Sequence, residues 1–253
     1  MTSSKRVALI TGAAGSLGKA ISFRLAQDGF IVVMSDCDRH VMEAAEDISK
    51  QGMQAEGMVA NLMAASEIHN LISTINNQYG RCDVLVNNAG VHPLQNVDNA
   101  TALNNTTLDD WQQALAVNLT APFLLSQAVF PLMKAKQWGR IINTASRAGR
   151  TCIPGTAAHY STTKSGIIGL TRSLAEQGAA FGITANAVAP GRFPSPLADT
   201  MPADEVAASI QRIPVGRIGD PFELAATVAF LASDGAAYTT GSVIDVNGGA
   251  FMG

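Results

Sequence analysis

Short runs of β-branched and apolar residues alternate with longer amphipathic stretches along the chain, and this alternation restricts the fold more than any other feature. Residues 7–10, 31–35, 54–59, 83–86, 140–144, 183–189 and 243–246 read as strands. Between them, residues 17–27, 39–50, 65–78, 108–136 and 157–181 read as helices. Gly29 and Gly52 stand where helices end in a left-handed residue. Thr107 is a candidate N-cap for 108–136, a stretch that Pro122 and Pro131 are expected to kink or interrupt. Asp220-Pro221-Phe222-Glu223 opens a further helix with cap, first-turn proline and acid in register. Parallel strands need a helical crossover, so this order predicts an α/β fold: a doubly wound parallel sheet flanked by helices on both faces. Residues 1–253 read as a single domain. Pro190, Gly191, Pro194, Pro196 and Pro202 crowd one region, which predicts a substrate lid over about 190–215.

Composition narrows the class. Apolar residues make up 47% of the chain and charged ones 15%, against roughly 25% charged in an average domain. That balance supports a large core and argues against disorder. A net charge of −3 argues against nucleic acid or an anionic membrane as partner. Cys37, Cys82 and Cys152 form no Cys-x-x-Cys pair, and His40, His69, His92 and His159 are scattered. No disulfide framework and no metal site is expected, and a reducing compartment fits best. No uninterrupted apolar run approaches the ~18 residues of a membrane span, and none near the N-terminus matches a signal-peptide core. A soluble, cytoplasmic protein is expected.

Three groups of residues carry chemistry. Thr11-Gly12-Ala13-Ala14-Gly15-Ser16-Leu17-Gly18 joins the first strand to the first helix, where a dinucleotide pyrophosphate meets free helix N–H groups in a Rossmann-type domain. Asp36, 18 residues after Gly18, ends the second strand. An acid there accepts hydrogen bonds from the adenosine ribose and repels a 2′-phosphate, and residues 13–16 offer no cation, so NAD is the expected cofactor. Tyr160 and Lys164 share one helix face. An ammonium beside a phenol is expected to draw its pKa down from about 10 toward neutrality, which suits acid/base catalysis. Ser146 ends the fifth strand at the ligand-binding edge of the sheet. A nucleophilic role for it is a poor reading, because no Gly-x-Ser-x-Gly elbow surrounds it.

Taken with Asn87-Asn88-Ala89-Gly90, Asn118 and Pro190-Gly191, these motifs resemble the short-chain dehydrogenase/reductase family from residue 11 to Asn247-Gly248-Gly249. The resemblance implies that Tyr160 is the catalytic acid/base and that Lys164 lowers its pKa and holds the nicotinamide ribose. It implies that Ser146 orients the substrate oxygen and that Asn118 positions a water in a proton relay. Cofactor contacts are implied for Gly12, Ser16, Leu17, Gly18, Asp36, Asn61, Leu62, Asn88, Ala89, Gly90, Tyr160, Lys164, Pro190, Gly191 and Phe193. Members are commonly homotetramers that pack helices such as 108–136 and 157–181 between subunits. Three positions depart from the family pattern: Ser16 replaces the second glycine of the phosphate turn, Asn61 an acid near the adenine, and Ser195 a threonine after Pro-Gly.

For the substrate, Arg147 and Arg150 follow Ser146, and Arg192 follows Pro190-Gly191. Guanidinium groups bind carboxylates and phosphates bidentately, so an anionic small molecule is expected. His92, Gln95 and Asn96 follow the fourth strand and are expected to add polar contacts for a hydroxylated substrate. A secondary alcohol–ketone interconversion on a sugar acid or hydroxy/keto acid, of the 2-keto-3-deoxy type, is the leading expectation. The alternatives are a 3-oxoacyl-carrier-protein ketoreductase and, without catalysis, a dinucleotide-sensing regulator.

Overall fold

The computed structural model describes residues 5–93, 102–194 and 203–253, with backbone alone at 203–205. The strands are β1 (Val7–Thr11), β2 (Ile31–Asp36), β3 (Ala55–Val59), β4 (Val84–Asn87), β5 (Gly139–Thr144), β6 (Ile183–Pro190) and β7 (Val243–Val246). They form one sheet in the order β3-β2-β1-β4-β5-β6-β7, every pair parallel. The helices are α1 (Ser16–Gln27), α2 (His40–Ser49), α3 (Ala65–Tyr79), α4 (Leu108–Leu115), α5 (Ala121–Lys136), α6 (Ala158–Gly178), α7 (Ala203–Gln211) and α8 (Pro221–Ala232). The doubly wound α/β expectation holds.

The two-residue period of a strand sorts the core into two layers. Ala8 and Ile10 of β1, with Val32 and Met34 of β2, pack beneath α1, α2 and α8. Val7, Leu9 and Val33 point the other way, toward α3, α5 and α6. Leu9, Ile10, Ile21 and Leu25 are fully buried, and each such side chain contributes roughly 1.5–3 kcal/mol relative to exposure. Chain order reverses direction between the adjacent strands β1 and β4, which opens a crevice at their carboxyl ends.

The stretch 108–136 differs from expectation in where it breaks. Thr107 caps α4 as foreseen, its Oγ accepting the Asp110 N–H at 3.1 Å. The interruption is a π-helical turn, Ala116–Thr120, in which the Ala121 N–H reaches back to the Ala116 carbonyl. Pro122, just beyond, has no N–H to return to that turn, whereas Pro131 stands inside continuous α5. This stretch is also long and apolar enough to cross a membrane by length and composition. Counting uninterrupted runs missed it, because Asn118, Thr120, Ser126 and Gln127 interleave with the apolar residues. Here Leu125, Val129 and Met133 lie in the core against the sheet. Of the expected lid, Ser195, Pro196 and Pro202 lie outside the described residues, as do Gln95 and Asn96.

Candidate active site

A cleft of about 620 Å³ opens at the crevice between β1 and β4. Its phosphate end is shaped by backbone. The Thr11 Oγ accepts the N–H groups of Asn88 and Ala89, both at 3.2 Å, while the Asn88 Nδ2 donates to the carbonyls of Thr11 and Gly12. A Cβ on Gly12 would stand 2.7 Å from the Ala89 Cα, and one on Gly18 would stand 2.1 Å from the Gly12 carbonyl oxygen, so only glycine permits this close turn. Gly15 caps α1 without a side-chain acceptor, and no acid occupies the first turn. The helix N-terminus thus keeps N–H groups and positive dipole for an anion. Asp36 accepts the Ala14 N–H at 2.9 Å and the Asp38 N–H at 3.1 Å. The Ser16 hydroxyl donates to the Pro194 carbonyl at 2.9 Å and thereby ties the phosphate turn to the base of the expected lid. Asn61 uses its Oδ1 to accept the Met63 N–H. All fifteen residues expected at a dinucleotide line this cleft, and the donor set and tight glycines fit such a group.

At the other end, Ser146 closes β5 and caps the short turn Arg147–Gly149, its Oγ accepting the Ala148 N–H at 3.1 Å. Tyr160, in the first turn of α6, lines the cleft beside Ser146. Lys164, one turn on, is buried and donates to the Thr144 carbonyl at 2.8 Å. Its Nζ lies 5.7 Å from the centre of the Tyr160 ring. Burial pushes this ammonium down to about 8. The expectation of a lowered phenol is corrected: burial pushes Tyr160 up, and the Ser146 hydroxyl opposes that only in part. The free site therefore holds a protonated phenol, which is an acid, beside a lysine that titrates near neutrality.

The buried Asn118 side chain is committed to protein partners. Its Oδ1 accepts the Val91 N–H at 2.8 Å, and its Nδ2 donates to the Val91 carbonyl at 2.8 Å and to the Thr163 Oγ at 3.1 Å. The Thr163 hydroxyl donates in turn to the Tyr160 carbonyl at 2.9 Å. Asn118 thus clasps the strand end after Gly90 to the turn that carries Tyr160, and its Oδ1 keeps a second lone pair beyond the Val91 N–H. A Cβ on Gly90 would stand 3.3 Å from the Lys164 Nζ.

The arginine expectation is also corrected. Arg147 donates to the Ala250 carbonyl at 3.3 Å. Arg150 bonds the Gly253 oxygen, pairs with Asp245 at 3.3 Å and stacks on Phe251. Neither lines the cleft; both hold the C-terminal segment against the turn that follows Ser146. Arg192 lies at a separate cavity of about 210 Å³ with Arg217, Glu223 and Asp245. His92 does join Ser146 and Tyr160 in the cleft. Sequence reading missed Thr144, Val117 and Gln113, which also line it. A helical step of four from Val117, the neighbour of Asn118, leads back to Gln113 and was a usable signal.

A Rossmann-type cleft with Ser, Tyr and Lys at its mouth defines an oxidoreductase site, and the comparisons agree. Residues 12–250 match the family described as enoyl-(acyl carrier protein) reductase, and the chain belongs to the short-chain dehydrogenase/reductase family. It is 40% identical over 250 residues to a 3-oxoacyl-[acyl-carrier-protein] reductase of Synechocystis sp., covering 98% of this chain and 97% of the relative. It is 38% identical to the (2S)-[(R)-hydroxy(phenyl)methyl]succinyl-CoA dehydrogenase subunit BbsD of Thauera aromatica, with 96% of each covered. A crystal structure of an actinorhodin polyketide ketoreductase variant with NADPH superposes with a TM-score of 0.90 at 31% identity, covering 97% of each chain. The expected lean toward sugar acids finds no support in these relatives.

Proposed function

We propose that this chain interconverts 3-oxoacyl and 3-hydroxyacyl thioesters, acting as a ketoreductase that uses NADH. The observation that carries the reading is the half-buried phenol of Tyr160 set in one cleft with Ser146 and Lys164, on a chain whose relatives are named for acyl-thioester substrates. Ser146 and Tyr160 orient the 3-oxo oxygen, and Tyr160 gives its proton to that oxygen as the carbon is reduced. A bound reduced nicotinamide supplies the hydride. Charged Lys164 favours the phenolate left on Tyr160. Asp36 supports NADH over NADPH, since a carboxylate at the end of β2 repels a 2′-phosphate.

The test follows reduced-nicotinamide absorbance with NADH and NADPH over acetoacetyl-CoA and a panel of keto acids and deoxy-keto sugar acids. The thioester with NADH is expected to give the highest kcat/KM. Activity confined to NADPH refutes the role of Asp36, and activity on sugar acids alone refutes the thioester reading. Tyr160→Phe is expected to lower kcat by at least about 10³-fold. We also propose that further copies of the chain cover the outer side of α5, where Phe123 is 45% exposed, in a homotetramer; sedimentation of a monomer overturns this.

A further inference from the structure

His92 is a polar side chain of the cleft that the proposed chemistry leaves without a task. Its ring centre lies 4.7 Å from that of Tyr160, tilted by 43°, and 5.6 Å from that of His159. The clasp of Asn118 on Val91 fixes the preceding peptide, and the Thr163 hydroxyl links the same clasp to the Tyr160 turn. The imidazole is therefore held in place against the catalytic phenol. Its Nε2 is enclosed by protein without a hydrogen-bond partner among the described residues; the ring lines the cleft, and with Nε2 as the unprotonated nitrogen, Nδ1–H is the donor it offers a ligand. Burial, and then His159 beside it, hold His92 below its ordinary pKa, so it meets the substrate as a neutral group able to donate one hydrogen bond.

The geometry points to His92 as a specificity-determining residue that hydrogen-bonds the second carbonyl of a 1,3-dicarbonyl substrate, the acyl oxygen two carbons from the reacting ketone. This inference rests on the thioester reading above. A substrate whose ketone is held by Ser146 and Tyr160 carries its acyl carbonyl two carbons further on, a span comparable with the 4.7 Å between the ring centres of Tyr160 and His92. A neutral donor suits a thioester oxygen, which carries no charge to attract an arginine. A site that hydrogen-bonds a substrate group discriminates against the analogue that lacks it, because its own buried polar atom is then left unpaired.

The experiment compares S-acetoacetyl-N-acetylcysteamine with the analogue whose thioester carbonyl is a methylene, in wild type, His92→Phe and His92→Gln. The readout is the ratio of kcat/KM for the two ketones. Phe keeps a ring against Tyr160 but carries no donor, and its ratio is expected to fall about tenfold. Gln retains an amide donor and is expected to recover much of that ratio. Should the Phe variant not fold, His92→Leu carries the same expectation. A ratio that falls less than threefold in the variant lacking a donor overturns the inference while leaving thioester reduction intact. A wild type that reduces neither ketone overturns the proposed function, and the inference with it.

Discussion

Replacing Asp36 with alanine tests two roles of one carboxylate. In the structure it accepts the Ala14 N–H at 2.9 Å and the Asp38 N–H at 3.1 Å, so it anchors the glycine-rich turn as well as lining the cleft. Hydrogen bonds to a charged acceptor are each worth about 1.5–3 kcal/mol, less where water replaces the partner. Asp36 is only half-buried, so losing the anchor and the ribose contact together is expected to cost NADH about 2–3 kcal/mol, or roughly 30–150-fold in kcat/KM. For NADPH the substitution removes a repulsion. Two like unit charges about 4 Å apart repel by between about 1 kcal/mol in water and about 4 kcal/mol near a protein surface. That relief is offset by the slackened turn, and Ala13-Ala14-Gly15-Ser16 provides no cation for the phosphate. Asp36→Ala alone is therefore expected to lose NADH activity without reaching wild-type efficiency on NADPH, whereas adding Ala14→Arg is expected to improve NADPH use. The assay is kcat/KM for both cofactors at fixed ketone, with thermal melting as a check on the fold. A single Asp36→Ala variant that uses NADPH as well as the wild type uses NADH would refute the reasoning.

Further outcomes follow from the catalytic end. Lys164 is charged below about pH 8 and neutral above it; only the charged form favours the phenolate left by proton donation, so kcat/KM for reduction is expected to fall as pH rises through about 8. Lys164→Arg keeps its charge throughout and is expected to remove that limb from the pH profile; a limb unchanged in the variant contradicts the assignment. Asn118→Ala deletes three hydrogen bonds and is expected to lower unfolding stability by about 2–4 kcal/mol in denaturant titration. Gly90→Ala places a Cβ 3.3 Å from the Lys164 Nζ and 3.5 Å from the Asn118 Oδ1. It is expected to reduce kcat about tenfold with little change in melting temperature, and a variant with wild-type kcat argues against a tightly held lysine.

Local rules carry most of the fold and half of the site. Strand periodicity, the Thr107 cap and the placement of Ser146 at a strand end depend on neighbours within a few residues, so they are legible in the chain. The spacing of Tyr160 and Lys164 is also local, and it survives folding. Their mutual influence does not reduce to spacing, because burial acts on each separately and moves them in opposite directions. The arginines were illegible for another reason. Arg147 and Arg150 reach partners about a hundred residues downstream, and no pattern around position 147 encodes the arrival of that segment. The break at Ala116–Thr120 was misplaced because a proline can be accommodated by the turn ahead of it.

The ties from Arg147 and Arg150 to residues 245–253 have a practical consequence. The hydroxyl of Ser146 sits on a turn braced from outside by distant chain, so substitutions within residues 245–253 are expected to disturb that turn before they loosen the sheet. Preparations altered there are expected to melt normally while binding substrate poorly, a failure easily mistaken for having offered the wrong compound.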